Sequence, residues 1–203
     1  MTSEPRRDPL TDPLLTPENS ALVVIDFQPT QVAAVHSMDA ALMTKNVVTL
    51  ARIATTFGLP IVLSTVNVAK GQPPTVAELK AVLAESAEID RTQINAWEDI
   101  EFRAAVEATG RRQLVISALW TEACLAYPTL DALREGYEVF PVVDAIGGTS
   151  EEAHRAGLRR VEAAGAQPVS WVSVATELQR DWARRDTAVP IREIVVVDRL
   201  MKE

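Results

Sequence analysis

Apolar residues in this chain fall into two rhythms that alternate along most of its length. One is the short, mostly apolar run: the unbroken Ala21-Leu22-Val23-Val24-Ile25, then residues 61–66, 114–118, 137–143 and 168–172. Runs of this length, without a polar residue at every second position, predict strands buried on both faces. The other rhythm has a helical period. Val47, Leu50, Ala51 and Ala54 stand at i, i+3, i+4 and i+7, with Gly58 and Pro60 as a stop. A loop with Gly71, Pro73 and Pro74 leads into a short helix that turns Val76 and Leu79 inward. Residues 98–109 read as a helix whose first turn holds Glu98, Asp99 and Glu101, with Arg111 and Arg112 past its end, charges that match the helix dipole. Another helix spans 121–135 and closes at Gly136. Thr149 and Glu152 have capping-box spacing ahead of a helix to Ala164, closed by Gly165. Val174, Ala175, Leu178 and Trp182 share one face of the last helix. A short strand is expected at 88–90.

Strand and helix alternate with short connections. That pattern predicts an α/β fold, a doubly wound three-layer α/β/α domain over residues 20–185. Two segments lie outside it. Residues 1–19 carry Pro5, Pro9, Pro13 and Pro17, a spacing that forbids a regular helix, and read as an extended arm free to lie on a neighbouring subunit. Residues 186–203 form a tail whose Ile194-Val195-Val196-Val197 is β-prone and needs cover, as an edge strand or a subunit contact. Both ends predict a homo-oligomer larger than a dimer.

Composition narrows the function. The chain has 203 residues, 47% of them hydrophobic, enough for one domain with a sizeable core. Twenty Lys and Arg against 28 Asp and Glu give a net charge of −8. That charge argues against nucleic acid, whose affinity comes from cations on phosphates, and against anionic membrane surfaces. No apolar run approaches the roughly 20 residues of a spanning helix. Arg6 and Arg7 are not followed by an apolar stretch, so no signal peptide is read. The single cysteine excludes an internal disulfide and a cysteine-rich metal site, and fits a reducing cytoplasm.

Sites in open α/β sheets lie beyond the carboxyl ends of the strands. Asp26 ends the first strand, Arg91 falls near the end of the third, and Cys124 follows the fourth. An acid, a cation and a thiol at one sheet edge suit covalent nucleophilic catalysis. Cys124 is expected in the first turn of a helix, where free N–H groups and the dipole would lower its pKa. Singly, each residue has a plainer reading: buried filler, turn former, surface ion pair. His154 shares a helical face with Gly157, Leu158 and Val161 and reads as a core histidine. Pro128 removes an N–H that would bond the Cys124 carbonyl, and predicts a kink.

Three stretches decide between these readings. Ala21-Leu-Val-Val-Ile-Asp-Phe-Gln28, Ile116-Ser-Ala-Leu-Trp-Thr-Glu-Ala-Cys124 and Val143-Asp-Ala145 resemble the isochorismatase-like cysteine hydrolase superfamily. Asn95-Ala-Trp97, Ala164-Gly-Ala-Gln167 and Glu177-Leu-Gln-Arg-Asp-Trp182 resemble its YcaC-like branch, often octameric. The resemblance implies a Rossmann-like sheet of six parallel strands, order 3-2-1-4-5-6, and a Cys–Asp–Lys triad. Cys124 and Asp26 match, and Arg91 stands in the lysine slot. Arginine does not give up its proton, so a role needing a neutral amine is excluded and an electrostatic one survives. The family's non-proline cis peptide maps to Leu119–Trp120 and would set the Trp120 N–H beside that of Cys124 as an oxyanion hole. The nicotinamidase members bind metal through histidines beyond strand two. Here that region reads Ser64-Thr-Val-Asn-Val-Ala-Lys70, so neither metal nor cofactor is expected.

Together these readings predict a hydrolase of a small amide or related C–N substrate, acting through a thioester on Cys124. Phe27, Ile94, Trp97, Trp120 and Ile146 are expected to make a small apolar pocket, with Gln28 and Asn95 as its polar contacts. The rival reading is a non-catalytic metabolite-binding or thiol redox protein that keeps the hydrolase fold, and Arg91 is the feature that favours it.

Overall fold

The computed structural model describes residues 7–200, with side chains described as far as residue 196. Residues 1–6 of the expected arm and 201–203 of the expected tail lie outside the described residues. Five strands pair in parallel in the order β3-β2-β1-β4-β5: β1 (Ser20–Ile25), β2 (Ile61–Val66), β3 (Glu88–Arg91), β4 (Gln113–Ala118) and β5 (Glu138–Pro141). Consecutive side chains of a strand point to opposite faces. Accordingly Leu22 and Val24 of β1 join one core cluster, while Ala21, Val23 and Ile25 join the other. The unbroken apolar run is thus the mark of a strand covered on both sides.

In chain order the helices are α1 (Pro29–Ala33), α2 (Ala40–Thr56), α3 (Ala77–Val82), α4 (Ile100–Ala108), α5 (Ala126–Arg134), α6 (Glu151–Ala163), α7 (Trp171–Gln179) and α8 (Arg185–Arg192). Buried residues of α2, α3, α7 and α8 pack on one face of the sheet, and those of α4 and α5 on the other. Asp39 caps α2 and Asp99 caps α4, each accepting from a backbone N–H three residues on.

The structure corrects the sequence reading at five places. The sheet has five strands among the described residues, not six. Residues 168–172 reach the sixth position: Gln167 N donates to Val139 O and Val169 N to Pro141 O, both at 2.9 Å, and Val169 bridges Val142. The ladder then stops, because Ser170 already caps α7 and the chain turns into that helix. Ser150, not Thr149, caps α6, its hydroxyl accepting from Ala153 N. Trp182 lies past the end of α7 and is exposed. The β-prone run Ile194–Val197 is helical, part of a π-helical stretch Glu193–Leu200, and Ile194 and Val195 are buried in the core with Ile191. Finally, the described part of the arm, residues 7–19, packs on its own chain. Leu15 is fully buried, its N–H donates to Glu177 Oε2 at 2.8 Å, and Gln113 Nε2 donates to Asp12 O at 3.0 Å.

Candidate active site

The strand order turns back on itself between β1 and β4, so helices leave the two strands on opposite faces and open a crevice beyond their carboxyl ends. Asp26 follows β1 directly and Cys124 lies six residues past β4, so both flank that crevice; Arg91 is the last residue of β3. The backbone of Asp26 has φ of 60°, a left-handed conformation that aspartate tolerates better than bulky residues. The Asp26 N–H donates to Ser64 O, which ties this turn to β2.

The buried acid and cation form a close pair. Arg91 Nη2 donates to Asp26 Oδ2 at 2.6 Å, with both side chains sealed from solvent. Arg91 Nη1 donates to Gln93 O at 2.8 Å, fixing the guanidinium from its other side. The other carboxylate oxygen, Oδ1, is buried with no hydrogen-bond partner among the described residues, and the Cys124 thiol lies near enough for it and the Asp26 charge to act on each other. Burial pushes the Asp26 carboxyl above the ordinary carboxylate range, although the Arg91 charge and hydrogen bond pull it down.

Cys124 sits in a π-helical turn, Thr121–Leu125, and not in the first turn of a regular helix. The wide turn precedes α5, which places Pro128 in the first turn of α5, where a missing N–H breaks no helical bond. The Leu119–Trp120 peptide is cis. The Trp120 backbone N–H lies near the sulfur and favours its thiolate. The expected low-pKa thiol is nevertheless overturned. Burial first, then the negative charge of Asp26, push Cys124 up to about 12, against Arg91 and the Trp120 N–H. The thiol therefore keeps its proton at rest.

Several expected pocket residues are engaged elsewhere. Gln28 Nε2 donates to Val66 O and Pro73 O, and its Oε1 accepts from Val66 N. Asn95 caps a 3₁₀ turn by accepting from Trp97 N, and donates to Glu98 and Asp131. Both amides are thus spent on holding loops. Phe27, Trp97 and Ile146 are core residues; Trp97 meets Phe102 and Tyr137 edge-on, and its Nε1 donates to Glu135. Ile94 is mostly exposed. Only Trp120 keeps a half-buried place beside the sulfur, with its Nε1 donating to Gln31 O.

The sequence reading missed what braces the turn that carries Cys124. The Thr121 hydroxyl and His154 Nδ1 are 2.8 Å apart, and Glu122 Oε1 accepts from both the N–H and the hydroxyl of Thr149. His154 is half-buried and bonded, not a core residue. Burial lowers its pKa, with Glu122 raising it and Arg155 lowering it further, so the ring is neutral at pH 7. The face shared with Gly157 was the legible signal. Among the described residues, no group of three or more His, Cys, Asp or Glu is placed to hold a metal ion, and no helix is long and apolar enough to cross a membrane.

The chain is similar to known proteins along most of its length. Residues 20–173 match the family model of the Isochorismatase domain. The probable hydrolase YcaC of Escherichia coli K12 is 38% identical over 169 residues, which cover 83% of this chain and 81% of that protein. The structure of YcaC from Pseudomonas aeruginosa, described with hexane-2,5-diol and covalent acrylamide, is 37% identical, covers 91% of each chain and gives a TM-score of 0.85. The E. coli YcaC structure, described as an octameric hydrolase of unknown specificity, is 34% identical with a TM-score of 0.86 and covers 92% of this chain and 93% of its own.

Proposed function

The chain belongs to the isochorismatase family of hydrolases, and from that premise we propose that it is a cysteine-dependent hydrolase of a small amide or related C–N substrate. The observation that carries the proposal is the buried Arg91–Asp26 pair, with the guanidinium 2.6 Å from the carboxylate, and the Cys124 thiol near enough for it and the Asp26 charge to act on each other. The P. aeruginosa relative is described with covalent acrylamide, a capture that needs a nucleophile, and Cys124 is the one thiol in this chain.

As the sulfur attacks the substrate carbonyl, Asp26 takes the thiol proton, so no free thiolate need exist beforehand. The Trp120 and Cys124 N–H groups receive the developing oxyanion. Asp26 then gives the proton to the leaving nitrogen, the C–N bond breaks, and an amine departs from a thioester. Water, deprotonated by Asp26, releases the acid and restores the thiol. Arg91 takes part in no proton transfer. Its charge keeps Asp26 ionised enough to act as a base inside a buried site.

The test is release of ammonia or amine from a panel of small amides, carbamates and ureas. On any substrate that turns over, Cys124→Ser and Asp26→Asn should each cost at least about a thousand-fold in kcat, and the double variant little more than either. Losses that multiply would break the pairing, and a panel with no turnover would favour the metabolite-binding or redox reading. We further propose that the protein is a homo-oligomer, as the octameric E. coli relative is.

A further inference from the structure

Three contacts run from α6 and the loop before it to the turn that carries Cys124, and the mechanism above uses none of them. The Thr121 hydroxyl meets His154 Nδ1 at 2.8 Å, and Thr121 N donates to Gly147 O at 2.9 Å. Thr149 binds Glu122 Oε1 twice, at 3.0 Å through its N–H and 2.6 Å through its hydroxyl. Gly157 lets α6 approach directly: a Cβ there would lie 2.9 Å from Glu122 Cα and from Thr121 O. Gly148 permits a second close approach, since its Cβ would fall 2.7 Å from Glu122 Oε2 and 2.9 Å from His154 Cβ. Glycine inside a helix costs about 1 kcal/mol against alanine, so Gly157 is there for the space it leaves.

We propose that α6 clamps the nucleophile turn, with His154 a positioning residue that acts through Thr121 to keep the Cys124 sulfur against Asp26 and the Trp120 N–H. The proposal rests on the reading of Cys124 and Asp26 as nucleophile and base. A π turn has wider and weaker hydrogen bonding than an α-helix, so its shape depends on outside supports. The hydroxyl–imidazole bond fixes the first residue of the turn, the Glu122–Thr149 bonds fix the second, and the backbone contact at Gly157 sets their distance from α6. Thr121 is fully buried, so losing its partner would leave a polar group unsatisfied.

Alkylation of the single cysteine by iodoacetamide, followed from pH 5 to pH 10 alongside thermal denaturation, tests the clamp without a substrate. In the native protein the rate should still be rising at pH 10, because burial and Asp26 hold the proton on the thiol up to about 12. A thiol released from that setting reverts to a pKa of about 8.5, so it reacts faster at neutral pH and levels off above that value. Thr121→Val and His154→Ala should each give that faster, levelling profile while remaining folded, and combining them should change the profile no further. Thr121→Ser, which keeps the hydroxyl, should retain the native profile. Gly157→Ala should also give the levelling profile, against its favourable helix propensity. A native profile that persists in folded Thr121→Val and His154→Ala overturns the clamp alone, as does a Thr121→Ser profile that matches that of Thr121→Val. A native protein that already levels off as an isolated thiol does overturns the clamp and the nucleophile–base pair together.

Discussion

Arg91 is held in a fully buried bond to Asp26, and that burial decides what replacing it would do. Arg91→Met leaves the carboxylate without a cation in a dry site, and breaking such a pair costs about 3–5 kcal/mol, readable by chemical denaturation. Arg91→Lys keeps a charge and should lose far less. The same bond sets the pH dependence. Asp26 must be ionised to accept a proton, and its pKa is raised by burial, so kcat/KM should fall as pH drops through a value above the usual carboxylate range. Because Arg91 pulls that pKa down, Arg91→Met should move the acid limb to higher pH, whereas Cys124, holding its proton to about 12, adds no step between pH 6 and pH 10. An acid limb at the ordinary carboxylate value, unmoved by Arg91→Met, would sink this account. Asp26, Arg91 and Cys124 were legible because strand ends fix where side chains emerge. Gln28, Asn95 and Trp97 were not, because nearness to a motif says nothing of where a side chain is spent. Gln28 is consumed by Val66 and Pro73, and Trp97 by Glu135 and two aromatic rings.

The elements divide in the same way between what pattern dictates and what geometry decides. Strand β1 announces itself by the unbroken apolar run Ala21–Ile25, and β2 and β4 by mostly apolar ones, because a doubly covered strand favours them. The run at Ile194 is equally apolar yet helical, since a short apolar stretch has no period to read. Thr149 and Ser150 both had cap chemistry, and one dihedral chooses between them. Ser150 is extended, with φ −154° and ψ 167°, and turns its hydroxyl onto Ala153 N, which frees Thr149 to hold Glu122. Ser150→Ala should therefore cost about 1 kcal/mol of stability in a denaturant titration, the usual worth of a cap. Thr149→Val should leave α6 capped and loosen Glu122 instead. Equal stability losses at both positions would contradict the assignment.

For the whole molecule, the tail is part of the core before it is anything else. A chain ended after Ala183 loses Ile191, Ile194 and Val195, all buried, which at about 1.5–3 kcal/mol per side chain is on the order of 5 kcal/mol. The truncated protein should melt well below the full chain, and an unchanged melting temperature would show that the tail's packing contributes nothing. Light scattering on the full chain should give a mass above that of a dimer, and a mass near 22.1 kDa would refute the oligomer. The other end is seated by residues far along the chain. Arg180, with φ of 59° at the end of α7, donates to Leu15 O at 3.2 Å and pairs with Asp12 at 3.3 Å, while Glu177 receives the Leu15 N–H. A ribosome makes Leu15 long before it makes Glu177, 162 residues downstream. The nascent arm therefore lacks its Glu177 and Arg180 contacts until α7 has left the exit tunnel. Until then the Leu15 N–H has no Glu177 to meet, so this end of the fold closes late.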